Sequence, residues 1–363
     1  MDKIKTLLGE NKEFDDQSLE ERLAHYNVPG CALTIIEDYE VTRPVTFGTR
    51  ASNGKDKVDG STLFQAASIS KMVFAALVLR LVEMKHLDLD TDVHTYLQGY
   101  TLKDRLGRKT SCTLRQLLSH TGGTNVHGFR GYTDHSHYLD ETAILEGRSS
   151  VNSRPLYKVR KDAGRFKYSG GGTTLAQKSI CDALGEPLDV LMERFILKPL
   201  KMNRSTMMQP LPASVDNVAH GHTQNRKKIK NNYRYHPEKA AAGLWTTSYE
   251  LALFGKALME SYEGRHEFMG RPSLQTMAEP VTDKNILKNR PDLRAGVGCF
   301  VNDTAGRLVI CHSGSNAGYV CDAAFSLTSG QGYVIMLNAD EGAPLLKEFG
   351  DAFTRIFFGD DTL

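Results

Sequence analysis

The chain has 363 residues, 40% of them hydrophobic and 24% charged, which supplies a large core and excludes a disordered chain. Its formal net charge of +2 argues against a nucleic-acid footprint or a membrane-binding surface and leaves a small molecule or short peptide as the expected partner. Residues 1–14 lack the apolar core and cleavage pattern of a secretory signal, and no apolar run is long enough to span a bilayer. A complete chain is therefore expected in the cytoplasm, and a processed mature form outside it.

Residues 30–36, apolar and β-prone after Pro29, and residues 41–47 beyond a polar turn predict an N-terminal hairpin. Apolar residues at helical spacing follow at 71–84, 114–119, 173–184, 188–197 and 248–260. Strand texture returns at 297–301, 307–311, 321–327 and 332–338, and residues 345–358 close the chain as a helix. Strands at both ends of a helical middle predict an α/β lobe from residues 1–70 and 240–363, a mainly helical lobe from 71–239, and a cleft between them. The basic stretch 225–239 reads as a solvated loop or hairpin in preference to an anionic-ligand patch.

The six cysteines, Cys31, Cys112, Cys181, Cys299, Cys311 and Cys321, stand singly in mostly apolar surroundings, as buried free thiols do. His220-Gly221-His222 and His135-Ser136-His137 lack a third partner at ligand spacing, so no metal is expected.

Three short runs carry candidate chemistry. Ser68 and Lys71 lie three apart at the start of a stretch, 72–82, that is apolar on nearly every face except Arg80; on a buried helix their side chains would meet. The positive helix end and burial both count against an ammonium there and predict that the amine takes the serine proton. The same helix start would stabilise an oxyanion. A helix cap beside a snorkelling lysine explains the pair equally well on these residues alone. Tyr168-Ser169-Gly170 precedes Gly171-Gly172 and a helical segment; its phenol beside an ammonium could relay protons, while taken alone it reads as a packed tyrosine before a turn. His312-Ser313-Gly314-Ser315 ends the strand run 307–311. A glycine there admits a substrate backbone along the strand edge, and the Ser315 amide could be a second oxyanion donor, although the run by itself is a strand entering a turn. His312 as the histidine of a Ser-His-Asp triad is disfavoured, because the chain has no Gly-x-Ser-x-Gly elbow.

In this order the three runs resemble the class C β-lactamase family and its DD-peptidase, D-aminopeptidase and serine-esterase relatives. Flanking pieces agree: Val28-Pro29-Gly30, Leu87-Asp88-Leu89-Asp90, the run 117–123 (LLSHTGG), Gly243-Leu244-Trp245-Thr246-Thr247 and the run 314–319 (GSNAGY), so that the resemblance covers about residues 28–338. It implies an α+β, β-lactamase/transpeptidase-like fold: a mixed, mainly antiparallel sheet flanked by helices, with an inserted helical lobe. It also implies acyl-enzyme chemistry without metal or organic cofactor. Ser68 would be the nucleophile, Lys71 its proton acceptor and Tyr168 the proton exchanger. The amides of Ser68 and Ser315 would form the oxyanion hole, and His312, Ser313 and Gly314 would line the substrate.

Two positions depart from the family pattern. Gly170 stands where an asparagine is frequent, and His312 where β-lactamases often have lysine. A histidine near its reference pKa of about 6.5 is mostly neutral at pH 7 and offers a weaker fixed charge for a carboxylate. Both departures point away from an efficient β-lactamase and toward an esterase or amidase-like serine hydrolase. A DD-peptidase, D-aminopeptidase or weak β-lactamase is the first alternative, and a non-catalytic binding protein on the same scaffold the second. Acyl group, leaving group and oligomeric state are not legible in the sequence, since specificity rests on loops such as 125–138 and 225–239.

Overall fold

The computed structural model describes residues 7–8, 18–136, 139–282, 293–304 and 306–358. His137, Tyr138 and most of the segment 1–14 lie outside the described residues.

The main sheet takes its strands from both ends of the chain. From the N-terminal part come β1 (Gly30–Glu37), β2 (Glu40–Val41) and β3 (Val45–Gly48); from the C-terminal part come β8 (Arg294–Ala295), β9 (Phe300–Thr304), β10 (Arg307–Asn316), β11 (Tyr319–Ser326) and β12 (Gly332–Leu337). Their order is β2-β1-β12-β11-β10-β9-β8, with β3 also on the free side of β1. Every pairing described in this sheet is antiparallel. The expected N-terminal hairpin exists with its return strand broken in two. Pro44, between β2 and β3, has no N–H to give to a ladder. Two short pairs lie apart from this sheet: β4 (Phe64–Gln65) with β7 (Trp245–Thr246), and β5 (His222–Thr223) with β6 (Lys227–Lys228).

Period-2 alternation explains how the sheet is covered. On one face Ala32 and Ile36 of β1, Val334 and Met336 of β12, and Cys321, Ala323 and Phe325 of β11 join the larger core. That core contains α2 (Ser70–Glu83), α5 (Gly170–Leu184), α8 (Ser248–Tyr262) and α9 (Arg271–Ala278). On the other face Cys31, Leu33, Ile35, Val320, Tyr333, Ile335 and Leu337 form a second core with α1 (Leu19–His25) and α10 (Ala343–Phe358). Residues of β1 and β12 are therefore apolar on both sides, and they read as continuous hydrophobic runs.

Shorter helices complete the chain: α3 (Leu114–Leu118), α4 (Glu141–Glu146), α6 (Leu188–Met192) and α7 (Lys239–Ala242). The expected helix 188–197 changes to a π-turn over Glu193–Leu197, where the Lys198 N–H reaches back to the Glu193 carbonyl at 3.0 Å. α5 starts three residues earlier than apolar periodicity suggests, on the glycine run itself. β10 does not turn after Cys311 but pairs with β11 as far as Asn316↔Tyr319. The basic stretch divides. Lys227 and Lys228 form the exposed strand of a hairpin, whereas Tyr233, Tyr235, His236, Glu238 and Lys239 are buried. The solvated-loop expectation thus fails for the second half, whose aromatics pack inward: Tyr233 lies edge-on to Trp245 with centroids 4.9 Å apart.

Candidate active site

Ser68 sits in a 3-10 turn, Ala67–Ile69, that runs directly into α2. Ala67 before it has φ +46°, in the left-handed region that an alanine rarely adopts. The Ser70 hydroxyl donates to the Ala67 carbonyl at 2.5 Å and accepts from the Leu244 N–H at 3.0 Å, fastening this turn to the chain before β7. α2 is buried along its length from Ser70 to Leu81 except at Arg80, so Lys71 lies within the interior and is only 3% exposed. Its side-chain nitrogen donates to Ser68 Oγ at 3.1 Å and to the Ala241 carbonyl at 2.6 Å. Ala241 belongs to α7, a single turn whose carbonyl sequence analysis did not single out.

Tyr168 immediately precedes the cap of α5. Ser169 Oγ accepts from the Gly172 N–H at 3.1 Å and donates to the Val126 carbonyl at 2.7 Å, which fixes the backbone that carries the phenol. Lys71 Nζ lies 5.0 Å from the Tyr168 ring centroid. His120, a residue within the resemblance that was given no role, has its ring centroid 4.3 Å from that of Tyr168 at a 39° tilt, and its Nδ1 accepts the Ser169 N–H at 3.2 Å. Burial, followed by the charge of Lys71, holds His120 well below the usual imidazole range. The signal that could have found His120 was its place in the run 117–123, yet nothing local revealed that the run passes Tyr168.

Gly170 is filled from outside. A β-carbon there would lie 3.1 Å from Phe129 Cε2 and 3.2 Å from the His127 carbonyl oxygen, and the Gly170 N–H already donates to that carbonyl at 2.8 Å. The volume that an asparagine side chain would use is taken by the loop carrying His127 and Phe129.

β10 brings the third run alongside. β9 pairs with β10 only over Arg307–Cys311, so beyond His312 that edge is not covered by a β9 strand. Along the edge, inward His312, Gly314 and Asn316 are buried, while Ser313 and Ser315 are exposed on the other face. Gly314 is required by the turn that holds Ser68: a β-carbon on it would stand 2.4 Å from the Ala66 carbonyl and 2.5 Å from Cys321 Sγ. Asn316 ties the end of the strand down, donating to Gln65 Oε1 at 2.7 Å and to the Ala242 carbonyl at 3.0 Å. His312 lies further from the cationic state than its reference value implies. It is 3% exposed, with its ring 5.1 Å from Phe300 and 6.3 Å from Tyr168, and burial together with the Lys71 charge pushes it down to about 3. It offers a neutral imidazole, not a weak cation. Its Nδ1 is 2.6 Å from the Ser313 carbonyl oxygen, which assigns the proton to that nitrogen.

Ser68, Lys71, Tyr168, Gly170, His312, Ser313, Gly314 and Ser315 all line one cavity of about 1080 Å³. The beta-lactamase family model matches residues 16–349. The chain belongs to the beta-lactamase family. The unguisins hydrolase ungD of Aspergillus violaceofuscus is 25% identical over 194 residues, 52% of this chain and 33% of the relative, so the chain spans about a third of that protein. The D-amino acid amidase of Ochrobactrum anthropi SV3 superposes with a TM-score of 0.75 at 18% identity, covering 99% of this chain and 98% of the neighbour. The D-alanine carboxypeptidase AmpC of Burkholderia cenocepacia gives 0.71 at 20% identity, covering 98% and 99%. At these identities the two structures establish the shared α+β fold.

Among the described residues no cluster of three or more His, Cys, Asp or Glu could hold a metal ion, and all six cysteines are free. Four of them are buried; Cys181 and Cys311 are partly exposed. No described helix is long and apolar enough to cross a membrane.

Proposed function

We propose that the protein cleaves small esters or amides through an acyl-enzyme on Ser68. The observation that carries this reading is the 3.1 Å contact between Lys71 Nζ and Ser68 Oγ at the wall of a cavity that Tyr168 and Ser315 share. Ser68 Oγ attacks the acyl carbon and its proton passes to Lys71 Nζ, which acts in this step as the neutral amine; the amides of Ser68 and Ser315 receive the oxyanion. The bond to the leaving alcohol or amine then breaks, and that group takes a proton by way of Tyr168. Water adds to the acyl-enzyme, gives its proton to the same groups, and releases the acid with Ser68 restored. The anchoring of Lys71 by the Ala241 carbonyl supports this assignment, because it fixes the amine beside the hydroxyl without a carboxylate ion pair.

A peptidase-type reading for substrates built from D-amino acids has one observation in its favour, the β10 edge beyond His312 along which a peptide backbone can pair. The neutral His312 and the filled space at Gly170 weigh against capture of a β-lactam carboxylate.

A burst of nitrophenol from a short-chain nitrophenyl ester, with an acyl adduct mapped to Ser68 and lost in Ser68→Ala, is the expected result. Turnover that survives Ser68→Ala would sink the proposal, and an unreactive Ser68 toward a fluorophosphonate would favour a binding protein. Turnover of a D-Ala-D-Ala peptide in the absence of ester turnover would move the assignment to the peptidase reading.

A further inference from the structure

Lys71 is held beside Ser68 by a carbonyl of a helix that cannot hold itself. α7 is a single turn, Lys239–Ala242, with no side-chain cap on its first N–H groups, and it is far shorter than a helix that is stable alone. Three of its four residues are alanines, whose side chains are too small to lock the turn by interdigitation. Polar attachments fix it instead. At one end the Asn316 amide donates to the Ala242 carbonyl at 3.0 Å. At the other the Ala240 N–H donates to Gln177 Oε1 at 2.7 Å. The Ala241 carbonyl, between the two, takes the Lys71 contact at 2.6 Å. Lys239 adds an ion pair with Asp189 of α6 at 2.7 Å, through a flexible stem that leaves the backbone of the turn free to shift.

Gln177 lies in the middle of α5, the helix whose cap follows Tyr168. It is fully buried, on a stretch where Leu175, Ala176 and Ile180 are buried as well. An amide in that position is costly unless both of its ends are paired. Both are, since Nε2 donates to Glu141 Oε1 of α4 at 2.6 Å. A carboxylate accepts and a backbone N–H donates, so these two partners fix which end of the amide faces α7. An apolar residue of the same length would fill the space without that cost and would leave Ala240 unheld.

We infer that Gln177 is a positioning residue for acylation: through Ala240 it sets the Ala241 carbonyl against Lys71 and so aims the amine at Ser68. The inference rests on the acyl-enzyme reading above. A neutral lysine amine has two N–H groups and one lone pair. With one N–H committed to Ala241 at 2.6 Å, rotation about the Cε–Nζ bond is restricted, and the lone pair is left for the Ser68 hydroxyl 3.1 Å away. When α7 shifts, the amine either follows the carbonyl or loses it, and in both cases the proton path from Ser68 Oγ lengthens. Asn316 grips the same turn from β10 but also lines the cavity, whereas Gln177 does not. Gln177 therefore acts on the reaction only through α7, and positioning is separable from substrate binding at this residue.

The test uses the full-length protein and a short-chain nitrophenyl ester, with the burst rate constant followed across substrate concentration so that acylation and binding separate. Thermal unfolding reports the fold of each variant. Gln177→Met keeps the length of the side chain and offers Ala240 no acceptor. Its saturating acylation rate constant is expected to fall between about tenfold and about a hundredfold, with the half-saturating concentration within about twofold of wild type. Gln177→Asn, which draws the amide back by one methylene, carries the same expectation and decides the matter where the methionine variant does not fold. The exchange Gln177→Glu with Glu141→Gln keeps both contacts, the carboxylate at 177 now accepting from both partners and the amide at 141 donating; it is expected to recover the wild-type rate to within about threefold. A folded Gln177→Met or Gln177→Asn protein that acylates at the wild-type rate, a loss confined to the half-saturating concentration, or an exchange no faster than the single variants overturns this inference while leaving Ser68 chemistry intact. A wild type without a burst, or turnover that survives Ser68→Ala, overturns it together with the reading on which it rests.

Discussion

Glu238 stands at the start of α7, the turn whose Ala241 carbonyl holds Lys71. It is fully buried, and neither of its carboxyl oxygens has a hydrogen-bond partner. The equally buried His236 has its Nδ1 4.0 Å from Glu238 Oε2. Tyr132 and Tyr235 also face it, and its charge contributes to raising both. Burial pushes the Glu238 carboxyl from 4.5 up to about 8. The folded protein therefore keeps this proton while the unfolded chain gives it up, so stability falls as pH rises from the unfolded value toward about 8. At about 1.4 kcal/mol per unit, ionisation costs the fold less than ~1 kcal/mol at pH 5 and on the order of 4 kcal/mol at pH 8. Glu238→Gln is nearly isosteric and cannot ionise. Any fixed cost of burying its amide is common to both pH values, so the change in unfolding free energy relative to wild type should become more favourable by roughly 3 kcal/mol between pH 5 and pH 8. Denaturant unfolding at the two pH values measures this directly. A difference between the pH values of under about 1 kcal/mol would refute the claim that the carboxyl is held protonated.

The remaining predictions concern the histidines and the two close-packed glycines. His236 and His312 are both pushed down to about 3 by burial and, after it, by nearby positive charge, so the unfolded chain binds protons first as pH falls. Their stabilisation is complete above about pH 6.5 and is lost toward pH 3; in the Glu238→Gln protein about 4 kcal/mol should disappear between pH 7 and pH 5, and an NMR titration of the His312 ring within pH 5–8 would contradict this. Gly170→Asn should lower stability by roughly 1–3 kcal/mol because Phe129 occupies the space, and Phe129→Ala should recover part of the loss; thermal melts showing an undisturbed Gly170→Asn protein would count against that packing. Gly314→Ala should displace β10 from the Ser68 turn and reduce kcat/KM by at least about a hundredfold; full activity in steady-state assays of the folded variant would show that the strand is free to shift.

Much of the frame was legible because it rests on patterns that tertiary contacts do not override. α2 is apolar all round in the sequence and buried all round in the fold, and β1 and β12 are continuous apolar runs because both of their faces are covered. The misreadings have a common cause in long-range partners. The run 312–315 by itself read as a strand entering a turn, yet it continues β10 against β11 as far as Asn316, with Gly314 set by the backbone of Ala66. The basic stretch looked solvated because Lys and Arg dominate its first half, while Tyr233, Tyr235 and His236 find their partners across the chain at Trp245, Tyr132 and Gln209. At the site, Ser68, Lys71, Tyr168 and the β10 run were legible from motif order. His120, Ala241 and Asn316 were not, because two of them act through a backbone carbonyl or a ring face and the third through amide contacts to residues distant in sequence.

The alternation of β10 also separates two properties that loops often mix. Its inward residues, His312, Gly314 and Asn316, touch the helical side where Ser68 and Lys71 are held, and they are buried at 3% to 6% exposure wherever a side chain exists to measure. Its outward residues, Val309, Cys311, Ser313 and Ser315, lie on the opposite face, toward α10. A change at an inward position must disturb backbone that the Ser68 turn rests on, since β10 approaches Ala66 within the space of a single missing β-carbon. Val309 and Cys311 lie on the face of β10 away from that turn and are partly exposed. Substitutions at the outward positions are therefore expected to leave the Ser68 turn in place, and those at the inward positions to displace it.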